Sequence, residues 1–479
     1  MHFDVCIVGG GPAGLASAIR IKQLCAETGK NLSVCVVEKG SEIGSHILSG
    51  NVFEPRALDE LLPDWREEYA ESRGDASKAT PVSSDSFLYL SETGSVAIPQ
   101  MLLPKELHNE GNYVISLGQL CRWLGEVAES IGVEIYPGFS ASEVLYTEDN
   151  KGVLGVATRD VGIGKDEKPK STFERGVELR ARQTLFAEGA RGSCSEELIS
   201  KFKLREGKQE QTYGLGIKEV WEVPENLFKA GFVQHTLGWP LQSSIFDKTF
   251  GGAFLYHQEP NLVLAGLVVG LDYENPYLNP YKEFQRWKTH PEIRKHFEGG
   301  QCISYGARVL NEGGYHSIPK LTFPGGALLG CSAGFINPVK IKGSHTAIKS
   351  GIEAGKAVFG ELTKTGSVSV ADGAEIEEPI SEISSYETAL KDSWVFKELH
   401  QVRNCHAAFQ RWGLAPGLLY SGLETFILKG REPWTLTHTT LDSDCTRPAK
   451  EYKEINYPAP DGALTFDLLT NLQRSGMYR

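Results

Sequence analysis
Gly9, Gly11 and Gly14 stand at G-x-G-x-x-G spacing, directly after the apolar run Phe3 to Val8 and before an Ala-rich stretch. Glu38 ends the next apolar run, LSVCVVEK, 24 residues beyond Gly14. These residue types in this order hold an adenine dinucleotide. The first glycine permits a tight turn, the second lets backbone approach a pyrophosphate, and the third lets helix pack on strand. The phosphates meet a positive helix N-terminus, and the acid reaches a ribose hydroxyl.

Strand, turn and helix must carry this motif, and later segments must complete it. A flavoprotein with its own nicotinamide unit needs a second G-x-G-x-x-G. GVGIG and YGLGIK lack that spacing, which points to FAD in one Rossmann unit. LRARQTLFAEGARG reads as a strand returning beside the dinucleotide at Gly189. FPGGALLGCSAGFINPVKIKGSHTAIKSG reads as strand, glycine loop with Gly330, Gly334 and Gly343, and a helix from about Ser344, a good N-cap. That helix aims its N-terminus at the flavin pyrimidine edge, where Lys340 and Lys342 add positive charge.

The totals bound the rest. With 479 residues, 41% hydrophobic and 23% charged, the chain is an ordinary globular protein with room for two or three domains. Its 49 Lys and Arg against 61 Asp and Glu give a net charge of -12, which argues against nucleic acid as a partner. Nine cysteines without any C-x-x-C pair suggest a reducing compartment and supply no thiolate metal site. The start MHFDV carries no leader pattern, which favours a bacterial protein or a processed or partial chain. The longest charge-free stretch, Leu321 to Val339, has four glycines and two prolines and is not expected to span a bilayer.

Longer strings carry a more specific signal. VEKGSEIGSHILSG, FERGVELRARQTLFAEGARG, FGGAFLYH, GLVVGLDYENPYLNPYKEFQRWKTHP, YGARVLNEGGYHSIPKLTFPGGALLGCSAGF and REPWTL closely resemble the electron transfer flavoprotein-ubiquinone oxidoreductase family through nearly all of the chain. The resemblance implies an α/β fold: a glutathione-reductase-like FAD-binding Rossmann domain with an intertwined α+β quinone-binding domain. It implies electron transfer flavoprotein as donor partner and ubiquinone as acceptor in the respiratory chain. It implies a monotopic place on the mitochondrial inner membrane, matrix side, or on the cytoplasmic face of a bacterial plasma membrane. Gly251 and Gly252 match the family's paired quinone-binding glycines, whose bare backbone lets a flat ring approach and whose amides can bond a carbonyl.

Three departures are visible. Phe250 stands where the family usually has Tyr, so a phenol hydroxyl is missing beside the quinone. The run from Ser332 to Lys340 lacks one proline of the family's S-P-G-F-M-N-V-P-K and shifts another. The family's C-terminal ferredoxin-like domain with its 4Fe-4S cluster is expected to be absent, since no cysteine follows Cys445. A separate ferredoxin-like protein is then an expected partner.

The expected organisation is a first FAD-binding part at 1–205, a ubiquinone-binding domain at 206–317, a returning FAD part at 318–375 and a C-terminal extension at 376–479. Residues 70–86 read as a surface loop and GIGKDEKPKST as a turn in a hairpin. The segment 363–381 reads as a linker before a helix from Tyr386 to Arg403. Leu117 to Ile131 keeps the spacing of an amphipathic helix. Trp412 to Leu428 is apolar, flanked by Arg411, Lys429 and Arg431, and suits insertion into one leaflet, although Glu424 interrupts it. No nucleophile triad or metal motif is present, so no catalytic residue or metal ligand is nominated. His235, His257 and His345 are available as proton donors to reduced quinone. The alternatives are an FAD-dependent monooxygenase or prenyl reductase of the same fold, or a truncated, inert FAD-binding product.

Overall fold
Runs such as VCIV and VCVV, apolar at every position, suit parallel strands covered on both faces rather than strands with one wet side. The computed structural model, which describes residues 1–47, 50–74, 79–364, 369–370, 376, 381–438 and 440–475, places them at the centre of an eight-stranded sheet. Its main path runs Glu134–Pro137, Val34–Glu38, His2–Val8, Glu178–Phe186, Gly326–Leu328 and Thr322–Phe323. All pairs on this path except the last are parallel.

Helices Pro12–Thr28 and Ser344–Leu362 pack together over this sheet, and Leu117–Ser130, capped by the Ser116 hydroxyl, packs against the first of them. The Ser344–Leu362 helix begins at Ser344 as expected, but Gly343 rather than Ser344 occupies its cap. The Tyr386 to Arg403 helix is in fact two, Ser384–Asp392 and Trp394–Gln401. Ser393 breaks the run and accepts the Val395 amide at 3.2 Å.

The second sheet has seven strands in the order Gln301–Asn311, Tyr213–Glu222, Leu262–Gly270, Gly251–Gln258, Phe232–Gly238, Ser84–Leu90 and Ser95–Ala97. A linear boundary at 205 therefore does not describe the pairing, because residues 84–97 belong to this sheet. The 70–86 loop is corrected for the same reason: helix Trp65–Arg73 enters it, and strands Thr80–Pro81 and Ser84–Leu90 leave it. Burial of Phe87, Leu88 and Leu90 outweighs the polar composition just before them. The hairpin expected at GIGKDEKPKST forms between Val161–Ile163 and Pro169–Glu174. Most of the 363–381 linker lies outside the described residues.

One face of the second sheet is covered by helix Pro280–Lys288, whose Phe284 and Trp287 join Trp221, Phe297 and Phe466 in one core. At its centre Lys288 and Glu219, both fully buried, pair at 2.7 Å. The Trp221 indole and the Gln285 and Asn471 amides also donate to Glu219, so its lone pairs are used and the charge is compensated. The C-terminal extension is thus divided. Tyr386, Leu390, Val395 and Leu399 pack into the Rossmann core, whereas Leu464, Phe466 and Leu472 pack on the second sheet.

Candidate functional site
The glycine motif closes as its spacing requires. Gly9 has φ +108°, and a Cβ built on it would lie 2.4 Å from the Ala187 carbonyl oxygen; one on Gly14 would lie 2.1 Å from that of Gly9. Gly11 caps the Pro12–Thr28 helix and meets nothing within 4 Å, which leaves bare backbone at a positive helix end. Glu38 accepts the Gly10 amide at 2.9 Å and the Gly40 amide at 2.7 Å, each through a different oxygen. A carboxylate has about four acceptor positions, so two remain for a ribose.

Two loops meet this turn. Gly189, with open space where a side chain would project, follows the Glu178–Phe186 strand, and its carbonyl accepts the Ser332 hydroxyl at 3.2 Å. The Gly330 amide donates to Ser350 Oγ at 3.0 Å, and Gly334 lies against Gln211. Gly343 then opens the second long helix. The open backbone, two helix N-termini and the spare oxygen positions of Glu38 fit a dinucleotide with a flavin ring. No single sequence region supplies both loops.

Lys340 does not stand free beside this loop. Its Nζ lies 2.6 Å from Glu54 and 3.0 Å from Glu398. Arg56 pairs with both carboxylates, at 2.9 and 2.6 Å, and lies over the Trp394 ring at 3.6 Å. His345, stacked on Trp394, bonds Glu398 at 2.8 Å. Burial raises the Glu398 pKa, but His345 and Lys340 outweigh it and hold the carboxyl well below its ordinary range. Glu54, His345 and Glu398 converge as a metal site would, yet two cations already compensate the carboxylates. The lysine expected to act by its charge is therefore a tie between loop and helix. Lys342 is buried and donates to Asn109 Oδ1 at 2.6 Å, and burial, aided by the Lys340 charge, lowers its pKa to about 8.

Gly251 and Gly252 open a strand of the second sheet under tight constraint. Gly251 has φ +142°, and a Cβ on it would lie 2.2 Å from the Val268 carbonyl oxygen; one on Gly252 would lie 2.8 Å from that of Thr236. Phe250 packs edge-on to His406 and Phe409, with ring centroids 4.4 and 5.4 Å apart. Both partners belong to helix Cys405–Trp412, which leads through Gly413 into Leu414–Gly422 and the π-helical turn Leu423–Leu428.

This region shows an apolar surface. Leu419 is 77% exposed, Ile427 70% and Phe246 66%, and the 245–247 loop is tied on by bonds from the Leu414 and Ala415 amides. Glu424 does not interrupt that surface. It points inward, fully buried, accepting the Asn404 amide at 3.0 Å. Burial and then nearby Glu432 outweigh that bond and push it up to about 7. Among the described residues no helix is long and apolar enough to cross a membrane.

The candidate histidines are held in internal networks. His235 bonds the Tyr256 hydroxyl at 2.9 Å, and His257 bonds the Lys229 amide and His296. Burial lowers both to about 3, so both are neutral at physiological pH. Sequence reasoning missed His406, which packs on Phe250, and the carboxyl group of Asp272 with those of Glu312 and Asp442 near it; the four come from separate segments and leave no spacing signal.

Residues 213–310 match the model of the ubiquinone-binding region of ETF-QO, and residues 7–66 match that of an NAD(P)-binding Rossmann-like domain. The mitochondrial electron transfer flavoprotein-ubiquinone oxidoreductase of Dictyostelium discoideum is 54% identical over 99% of this chain and 76% of its own length. This chain belongs to the electron transfer flavoprotein-ubiquinone oxidoreductase family. Family members from Mus musculus and Arabidopsis thaliana are 52% and 53% identical over 99% of the chain, which spans 74% and 70% of their lengths. Among solved structures, a geranylgeranyl bacteriochlorophyll reductase-like protein from Thermoplasma acidophilum superposes over 90% of this chain and 97% of its own with a TM-score of 0.56 at 18% identity. A flavin-dependent brominase covers 90% and 91% with a TM-score of 0.54 at 14% identity. These two share the fold. The ubiquinone-binding match of the family contains Gly251 and Gly252 and stops short of the two strands at 84–97 that complete the same sheet.

Proposed function
We propose that this chain passes electrons from electron transfer flavoprotein, through FAD, to ubiquinone at a membrane surface. The observation that carries the reading is the link from Gly251–Gly252, through Phe250 and the Cys405–Trp412 helix, to the exposed apolar face around Leu419 and Ile427. That link joins the glycine pair to a surface suited to lipid, where an isoprenoid tail resides.

Gly9, Gly11 and Gly14 hold the pyrophosphate, Glu38 the ribose, and Gly189, Gly330, Gly334 and Gly343 give backbone access to the flavin. Lys340 fixes the loop that carries them. The amides of Gly251 and Gly252 orient a quinone carbonyl. Bound FAD supplies a redox centre that takes and releases electrons singly. The FAD unit comprises 1–205 and 318–375 apart from the strands at 84–97, and the quinone unit comprises 206–317 with those strands. The membrane is the mitochondrial inner membrane, matrix side, or the cytoplasmic face of a bacterial plasma membrane.

The cluster step of the family is assigned to a ferredoxin-like unit outside the described residues or on a separate protein. The test is reconstitution. The purified chain with FAD should reoxidise its photoreduced flavin with a short-chain ubiquinone, and electron transfer flavoprotein should drive turnover once a cluster protein is supplied. Turnover coupled to NADPH and oxygen would overturn the reading in favour of a monooxygenase.

A further inference from the structure
Gly214 and Gly270 sit opposite each other on neighbouring strands of the second sheet. Lacking side chains, they leave a hollow that two carboxyl groups enter. A Cβ on Gly214 would lie 2.4 Å from Glu312 Oε1, and one on Gly270 would lie 2.6 Å from Asp272 Oδ1 and 3.2 Å from the Phe250 Cβ. The Gly270 amide donates to the Phe250 carbonyl at 2.8 Å, so the hollow adjoins the strand entrance where Gly251 and Gly252 begin. His406 packs edge-on to Phe250, and His438 lies 6.3 Å from His406, ring to ring.

On the outer side Asp442 accepts the Tyr213 amide at 2.8 Å. Asp442, Tyr213 and Arg191 line an open cavity of about 350 Å³ that reaches solvent. Asp272 Oδ1, Glu312 Oε2, Asp442 Oδ1, His406 Nε2 and His438 Nε2 are all buried and without a hydrogen-bond partner. Glu312 itself is 6% exposed and His406 7%. Unpaired buried polar atoms cost about 1–3 kcal/mol each, so five in one place call for partners such as water or a bound group.

We propose that Glu312 and Asp272 form the proton relay for the quinone held at Gly251–Gly252, refilled from solvent through Asp442. The proposal rests on the quinone-reducing reading above. Reduction of a quinone to a quinol takes two electrons, supplied through the flavin, and two protons. Each proton in turn leaves the Glu312 O–H and forms a bond to a quinone oxygen, and the Glu312 carboxylate so left is reprotonated by a solvent proton passed from the cavity through Asp442 and Asp272 before the second transfer.

The electrostatics agree with that direction of transfer. Burial, then the charges of Asp272 and Asp442, push Glu312 up to about 8, so it holds its proton at neutral pH. Burial also raises Asp272 against the Gln410 hydrogen bond and the His438 charge, with Glu274 adding to the rise. Asp442 reaches about 6, again chiefly by burial, which grades the path from solvent inward. Burial, with His438 nearby, leaves His406 neutral at about 3. The permanent cations at this site, Arg191 and Arg205, are held at Tyr213, 5.5 Å over its ring and 3.5 Å from its hydroxyl.

The experiment uses the full chain loaded with FAD. Its photoreduced flavin is mixed with either short-chain ubiquinone, which needs protons, or ferricyanide, which does not. Glu312→Gln and Asp272→Asn should slow the ubiquinone reaction about 100-fold and leave ferricyanide unchanged. The parent's ubiquinone rate should fall above about pH 8, the Glu312 value, and that fall should vanish in Glu312→Gln. Infrared difference spectra at neutral pH should show a protonated-carboxyl band that Glu312→Gln lacks. Equal slowing with both acceptors, unchanged ubiquinone rates in both variants, or no such band in the parent would overturn the relay. If the parent itself fails to reduce ubiquinone, the proposed function falls and takes the relay with it. If the parent succeeds and the variants match it, the relay alone falls.

Discussion

Gly351 and Ala13 touch backbone to backbone: a Cβ on Gly351 would lie 2.2 Å from the Ala13 carbonyl oxygen. Gly355 approaches Ser17 in the same way, one turn further along. The two longest helices of the Rossmann unit therefore cross without intervening side chains. This close crossing sets the relation between the N-terminus at Gly11 and the N-terminus at Gly343, and so between pyrophosphate and flavin ring in the proposed site.

Gly351→Ala should destabilise the protein by about 1–3 kcal/mol, because overpacking at backbone contact exceeds the gain of about 1 kcal/mol from better helix propensity. Thermal unfolding should show a lower midpoint, with FAD lost more readily on gel filtration. A raised midpoint would show that the crossing has slack.

The Lys340 network should appear in the acid limb of stability. Glu54 and Glu398 are both pulled below their ordinary values, despite burial, by His345 and Lys340. A lowered folded pKa gives stability that is complete above the unfolded value and lost as pH falls through the folded one. Breaking one partner of such a set costs about 3 kcal/mol. Glu398→Gln should thus be weaker than the parent by that order in urea unfolding at neutral pH, and the gap should narrow as the pH falls below about 4.

The exposed face at 245–247 and 412–428 should bind lipid. Burying one Leu or Ile side chain yields about 1.5–3 kcal/mol. Leu419→Asp combined with Ile427→Asp should reduce co-flotation with phospholipid vesicles about 100-fold or more, while flavin reoxidation by ferricyanide stays unchanged. Flotation equal to the parent would place the lipid contact elsewhere.

The strand entrance should tolerate the two glycines unequally. Gly251→Ala adds a Cβ at a positive φ and within 2.2 Å of a carbonyl oxygen, whereas Gly252→Ala meets its nearest atom at 2.8 Å and carries no such dihedral. Gly251→Ala should cost about 1–3 kcal/mol in stability. Gly252→Ala should fold and raise the KM for ubiquinone. The reverse ranking in thermal unfolding would refute this account of the entrance.

Much of the Rossmann unit was legible because its signals are local. Gly9, Gly11, Gly14 and Glu38 lie within one strand–helix–strand passage, and the long Ser344 helix follows directly on its loop. The parallel addition of strand Ser84–Leu90 to Phe232–Gly238 was not legible, since no local pattern reports a partner about 150 residues away. Lys340 was read as a free charge because Glu54 and Glu398 are remote in sequence and their pairing is a product of the fold. Glu424 looked like a flaw in an apolar segment for a related reason. A period of 3.6 sets it on the buried face with Gly417 and Ser421, but its partner Asn404 lies 20 residues away and leaves no local signal that a buried carboxylate is accommodated there.

The pairing of Ser84–Leu90 with Phe232–Gly238 also bears on how the molecule is made. During synthesis the earlier strand emerges long before its neighbour exists, and it must wait with its apolar residues uncovered until the later one arrives. Such non-local, parallel closure is slow relative to helix formation and favours aggregation while it is pending. Refolding from urea should accordingly be limited by assembly of the second sheet, and a chaperone that shields residues 84–97 should raise the yield more than one that acts after the Phe232–Gly238 strand has paired.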